Sequence, residues 1–157
     1  MTPKEIRPEQ IRSASFDELD ARTGYLLWQL RESVFVVEQA CAYPELDGRD
    51  LEPTTRHVWI EVDRHPVAYL RILEDADGAA RIGRVLVAPA HRGRGLAGML
   101  VQAAVDQIGD RVSVLDAQTY LAGWYRRFGF RQVGDEFLDD GIPHVPMRRD
   151  QPVAGSA

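Results

Sequence analysis

Val85-Leu86-Val87-Ala88-Pro89-Ala90-His91-Arg92-Gly93-Arg94-Gly95-Leu96-Ala97 is the stretch on which the fold of this chain turns. An apolar run ends at Val87, and a turn with two glycines and two arginines follows. An amphipathic helix then opens, with Leu96, Met99, Leu100, Ala103, Ala104 and Ile108 on one face and Gly109 to end it. Strand, glycine turn and helix in that order make an anion site. The first N–H groups of a helix lack partners within it, and the helix dipole adds positive charge. Glycine lets that backbone approach a phosphate because no Cβ intervenes. Arg92 and Arg94 add forked donors. The competing interpretation is a surface turn with solvated arginines.

Outward from this turn the chain alternates. Upstream, Ile11 to Ser15 suits a short strand. Asp17 suits a cap for a helix carrying Leu19, Leu26, Leu27, Leu30, Val34 and Val37, weakened at Gly24. A polar loop runs from Glu38 to Arg56. His57–Val62, Val67–Leu73 and Arg81–Val87 follow as strands joined by tight turns. Downstream come a strand at Val112–Leu115, a short helix at Leu121–Phe128, and a closing pair at Gln132–Phe137 and Val145–Arg148. Tight turns imply antiparallel pairing, and the crossover from Arg81 to Leu115 implies parallel pairing there. The expected fold is mixed α/β: a mostly antiparallel sheet of about seven strands with helices on both faces. Residues 1–10 are expected to be loose, 11–149 to form one domain, and 150–157 to be a flexible tail.

The chain has 157 residues, 45% apolar and 27% charged, which suits one globular domain. A net charge of −5 disfavours nucleic acid as a partner. No apolar run approaches a membrane span, and the polar N-terminus lacks a signal-peptide core. One cysteine, Cys41, permits no intrachain disulfide and suits a cytoplasmic location. Lys4 is the only lysine, which disfavours Schiff-base chemistry. No Walker-type Gly-Lys-Ser/Thr occurs, and His57, His65, His91 and His144 form no His-Glu-x-x-His pair, so no metal is expected.

Gly93-x-Gly95-x-x-Gly98 also fits the dinucleotide fingerprint, with Asp116 near the ribose-binding position. Against it, three strands precede this one, the turn is long, and only one strand–helix–strand unit is available.

Val87-x-Pro89-x-x-Arg92-Gly93-Arg94-Gly95-Leu96-Ala97 resembles the acyl-CoA pyrophosphate motif of the GNAT superfamily of N-acetyltransferases, Arg/Gln-x-x-Gly-x-Gly/Ala. Leu121-Ala122-Gly123-Trp124-Tyr125-Arg126-Arg127-Phe128-Gly129-Phe130 resembles that superfamily's second motif. Leu30-Arg31-x-x-Val34-Phe35-Val36-Val37-Glu38-Gln39-x-Cys41-x-Tyr43-x-Glu45-x-Asp47-Gly48 and Asp139-Asp140-Gly141-Ile142-Pro143-His144 are similar to the ElaA-type subfamily. The resemblance spans roughly Asp17 to Arg148.

It implies direct acetyl transfer from acetyl-CoA to a small-molecule or peptide amine, through a ternary complex and without metal. The protein would be a monomer or homodimer, with neither nucleic acid nor membrane as partner. Val85, Leu86 and Val87 would pair with the pantetheine arm. Arg92, Gly93, Arg94, Gly95, Leu96 and Ala97 would wrap the pyrophosphate, and Gln118 would contact the coenzyme arm. Tyr125 matches the tyrosine that protonates the leaving thiolate; without the motif it reads as a core tyrosine with a bonded hydroxyl.

The general base stays open. Many relatives carry a glutamate on the strand before the turn, whereas Arg81–Val87 holds no acid. Glu38, His57, Glu61 and His144 are the candidates, beside relay through water or capture of neutral amine. Cys41 with His144 and Asp140 has no nucleophile spacing. Acid between Glu38 and Glu52 either recruits a cationic amine or is a solvated loop. Two other functions compete: a non-catalytic CoA- or nucleotide-binding sensor module, and a small dinucleotide-binding protein using Asp116.

Overall fold

In the computed structural model, which describes residues 5–40 and 44–150, one sheet organises the chain. Its strands are β1 (Ile11–Ala14), β2 (Arg56–Val62), β3 (His65–Glu74), β4 (Ala80–Val87), β5 (Ser113–Gln118), β6 (Arg131–Gln132), β7 (Phe137–Asp139) and β8 (Ile142–Arg149). The order is β1-β2-β3-β4-β5-β8-β6, with β7 also paired to β8. All pairs are antiparallel except β4–β5, which the crossover helix α2 (Leu96–Ile108) connects.

The two faces hold different cores. On one, Leu96, Leu100, Ala104 and Ile108 of α2 meet Val58, Ile60, Leu70 and Ile72, together with Ala122 and Tyr125 of the short helix α3 (Ala122–Arg126). On the other, Leu27 of α1 (Ala21–Arg31) and Val34 meet Trp59, Tyr69 and Leu86. β3 supplies both, because successive strand side chains point to opposite faces. The mixed sheet with helices on both faces is the expected architecture, with eight strands in place of about seven.

Three elements depart from expectation. The first helix starts at Asp20, whose Oδ1 accepts from Thr23 N–H at 2.7 Å. Ser15 and Glu18 close their own turn upstream, the Ser15 N–H donating to Glu18 Oε1 at 2.9 Å, so Asp17 caps nothing. Gly24 does not split the helix; α1 instead widens into a π-helical segment, Glu32–Glu38. The closing strand breaks into β6 and β7. Pro146 has no N–H for the ladder, and Gly134 passes so close that a Cβ there would stand 2.7 Å from Pro146 Cγ. Residues 5–10 are not simply loose: Ile6 packs on the core and Gln10 Nε2 donates to Glu61 O at 3.3 Å. Lys4, Cys41, Tyr43 and 151–157 lie outside the described residues.

Candidate functional site

β4 and β5 are paired only at Ala80–Ser113 and Arg81–Val114. Beyond Arg81 they part, and the cause lies in β4. The register steps from Arg71–Gly83 to Tyr69–Leu86, so Arg84 and Val85 together face Leu70. That bulge bends the strand. Arg84 sits there at φ 55, a left-handed conformation that costs a side-chain-bearing residue roughly 1–2 kcal/mol. Glu45 holds it: Arg84 Nε donates to Glu45 Oε1 at 2.9 Å and Nη2 to Glu45 O at 3.2 Å. The β5-facing backbone of β4 past Arg81 is thereby left without a strand partner.

A cavity of about 580 Å³ opens beside the glycine turn. Val85, Leu86 and Val87 form one wall, and Arg92, Gly93, Gly95, Leu96 and Ala97 line its end. Gly93 and Gly95 are left-handed, at φ 80 and 74. No side chain caps α2, so its first N–H groups face this end unopposed. Among the described residues no Asp or Glu lines the cavity. Open backbone donors, glycine clearance and arginine together suit a pyrophosphate. Arg94 is not among the lining residues.

A second cavity, about 290 Å³, lies across the splay. Its polar wall includes Glu45, Arg71, Arg81, Arg84, Asp116 and His144. The two cavities share Gln39, Val85, Gln118, Leu121 and Tyr125. Gln118 thus stands at the junction.

Tyr125 is 7% exposed, with its ring edge-on to Trp124 and Phe130. Burial pushes its hydroxyl pKa up to about 12. His144 stands in the wall of the second cavity, stacked on Phe137. Its Nδ1 donates to Ile142 O at 2.7 Å, and in the neutral ring that bond places the lone pair on Nε2.

The other base candidates stand apart from both cavities. Glu38 is locked on Arg92, and that hydrogen bond holds its carboxyl below the usual range. Glu61 of β2 pairs with Arg12 of the edge strand β1 at 3.7 Å. His57 is wholly buried, accepting from Tyr69 Oη at 2.7 Å and donating from Nε2 to Asp50 O at 3.1 Å.

The acidic loop is not a free acidic surface. Arg31 Nη1 donates to Asp50 Oδ1 at 2.7 Å and Arg31 Nε to Glu45 Oε1 at 2.9 Å. Arg71 reaches Asp47 Oδ2 at 2.6 Å and Asp50 Oδ1 at 3.0 Å. The Arg71 hydrogen bond holds the Asp47 carboxyl well below the ordinary carboxylate range. Arg49 pairs with Glu52 at 3.0 Å. Buried charges demand such partners, and loss of one leaves another charge stranded. The loop's acid therefore fastens the loop to the sheet rather than recruiting a cation.

Several lining residues carry no role in the sequence analysis. Tyr120, Arg127, His91 and Phe128 border the first cavity, and Arg71 and Arg84 the second. Arg127 and Phe128 stand inside the Leu121–Phe130 motif, the one signal that offered them. Arg84 had none, since the bulge that places it is a tertiary event.

Comparison with known proteins agrees on one family. The profile described as "Acetyltransferase (GNAT) domain" matches residues 15–151. A UPF0039 protein of Mycobacterium tuberculosis is 50% identical over 145 residues, covering 90% of this chain and 93% of that one. Protein ElaA of Escherichia coli is 39% identical over 139 residues, covering 85% and 91%. Among solved structures, an acyl-CoA N-acyltransferase from Pseudomonas aeruginosa superposes with a TM-score of 0.85 at 39% identity, covering 88% of this chain and 97% of that one. Escherichia coli ElaA superposes at 0.84 and 36% identity, covering 89% and 98%.

Proposed function

The chain belongs to the GNAT acetyltransferase family, whose members transfer acyl groups from acyl-CoA, and on that premise we propose that it passes acetyl from acetyl-CoA directly to an amine. The observation that carries this reading is the meeting of two cavities at the β4–β5 splay, across Val85, Gln118, Leu121 and Tyr125. Two substrates bound from opposite sides react there without an enzyme-bound intermediate.

Acetyl-CoA supplies an activated thioester carbonyl. The unpaired β4 backbone around Val85 hydrogen-bonds the pantetheine arm and polarises the carbonyl oxygen. The turn from Arg92 to Ala97 holds the pyrophosphate on main-chain N–H groups. His144 takes the proton from the attacking amine on Nε2. Tyr125, kept protonated at neutral pH by its burial, gives a proton to the departing thiolate. Acid at Asp139 and Asp140 borders the same cavity and favours an amine over a neutral nucleophile. A dinucleotide site finds less support, because β4–α2–β5 is the only parallel crossover among the described strands.

The test begins with melting curves. Acetyl-CoA at about 100 times its Kd stabilises a binding fold by about 2.7 kcal/mol, or roughly 5–10 °C for a chain of this size. NAD at equal concentration should give far less. Thiol release with a panel of primary amines and peptide N-termini then separates the enzyme from a sensor. Stabilisation without turnover on any amine would favour the sensor; a shift with NAD alone would overturn the coenzyme assignment.

A further inference from the structure

The side chain of Arg92 is fully engaged. Nε donates to Val87 O at 3.0 Å, and Nη1 and Nη2 donate to Glu38 Oε1 and Oε2 at 2.6 and 2.9 Å. This is the two-pronged geometry in which a guanidinium holds a carboxylate or a phosphate equally well. Glu38 closes the π-helical segment, 54 residues away in sequence, and Val34 of that segment and the adjoining Gln39 line the cavity. Both side chains are near half-exposed, at 45% and 40%, so water and solutes reach the pair.

The pair is singular in its surroundings. Arg94 and Arg127 also stand at or beside this cavity, and neither makes a hydrogen bond or ion pair through its side chain to a described residue. The cavity lining itself holds no Asp or Glu among the described residues. Among the described residues Glu38 is the one carboxylate that pairs with a side chain of the turn, and it occupies both Arg92 prongs.

We propose that Glu38 is a selectivity residue for the coenzyme: it fills the anion-binding fork of Arg92 until a pyrophosphate displaces it. This rests on the coenzyme assignment above. The carboxylate imposes a threshold. A ligand with a pyrophosphate exchanges one anion for a more highly charged one at Arg92 and gains. A thioester on a bare pantetheine arm leaves the pair intact and gains nothing there. Glu38 acts neither as a proton acceptor nor as a support for the fold. Its removal therefore strengthens binding, the opposite sign to that of a catalytic or supporting group.

The experiment is a titration of CoA and of pantetheine, followed by Trp124 fluorescence or calorimetry, on the parent, Glu38→Gln, Arg92→Ala and the double variant. Glu38→Gln keeps the size of an exposed side chain. An exposed pair of this kind is worth a few tenths to about 1 kcal/mol, so CoA should bind roughly two- to fivefold tighter to Glu38→Gln. Pantetheine affinity should not change. On the Arg92→Ala background the gain should vanish. The gain should also shrink at high salt. Unchanged or weaker CoA binding to Glu38→Gln would overturn the proposal. An equal gain without Arg92 would do so too, reducing Glu38 to diffuse charge. Failure of the parent itself to bind CoA would instead remove the coenzyme assignment on which the proposal stands.

Discussion

At the scale of the residue, Tyr125 illustrates how packing prepares a chemical group. Its ring is clamped by Trp124 at 4.9 Å and Phe130 at 6.2 Å, both edge-on. Its hydroxyl makes no hydrogen bond to a described residue, and the residue lines both cavities. Burial disfavours the phenolate, so the proton stays in place until charge develops nearby. Tyr125→Phe removes that proton and almost no volume. Single-turnover acetyl transfer should fall about 10²–10⁴-fold, the usual value of a general acid. CoA affinity and melting temperature should stay near parental. A folded variant that transfers acetyl at the parental rate would exclude Tyr125 from the mechanism. The tyrosine was legible in the sequence through its motif; the unbonded hydroxyl was not, since it depends on what Phe130 and Trp124 pack against.

Elements were legible in proportion to the regularity of their pattern. α2 follows a clear helical period and the β2–β4 meander reads as apolar runs between turn residues, and their observed bounds differ from the expected ones by one or two residues at most ends. α1 was less so, because a capping box at Ser15–Glu18 competes with Asp17 for the helix start. The ion pairs of the acidic loop were hidden for another reason. Charge composition is local, but its partners Arg31, Arg71 and Arg84 lie 14 to 39 residues from it. The glycine turn is the element whose reading can be tested most directly. Gly95 holds φ 74 at the start of α2, and a Cβ there would meet no protein atom within 4 Å. The β-carbon of Gly95→Val therefore meets no neighbour in the folded protein. The substitution strains the backbone by roughly 1–2 kcal/mol and places methyls where the N–H groups face the cavity. CoA should bind at least about tenfold more weakly, since about 1.4 kcal/mol is a factor of ten. Helix content by circular dichroism should be kept. Parental CoA affinity in this variant would mean that the pyrophosphate lies elsewhere.

The molecule as a whole is tied together by charges that its sheet buries. Arg31 is wholly buried, stacked between Trp28 and Tyr69 at 5.3 Å from each ring, and Asp50 bridges it to Arg71. His57 completes this cluster and must remain neutral within it. Burial first, then the nearby Arg31 and Arg71, lowers its pKa below 6.5, against the opposing pull of Asp50. In the unfolded chain the same imidazole titrates near 6.5. Above that pH neither state binds the proton, and stability is unaffected. Below it the unfolded state gains a proton that the folded state refuses, so stability falls with falling pH. Melting temperature should therefore decline between about pH 6.5 and the lower folded-state pKa of His57. His57→Gln forfeits the bonds to Tyr69 and Asp50 and should be less stable at pH 7 by about 1–3 kcal/mol. Across the same interval its melting temperature should fall less steeply than the parent's. A variant with the full parental slope would show that the acid sensitivity arises outside the cluster.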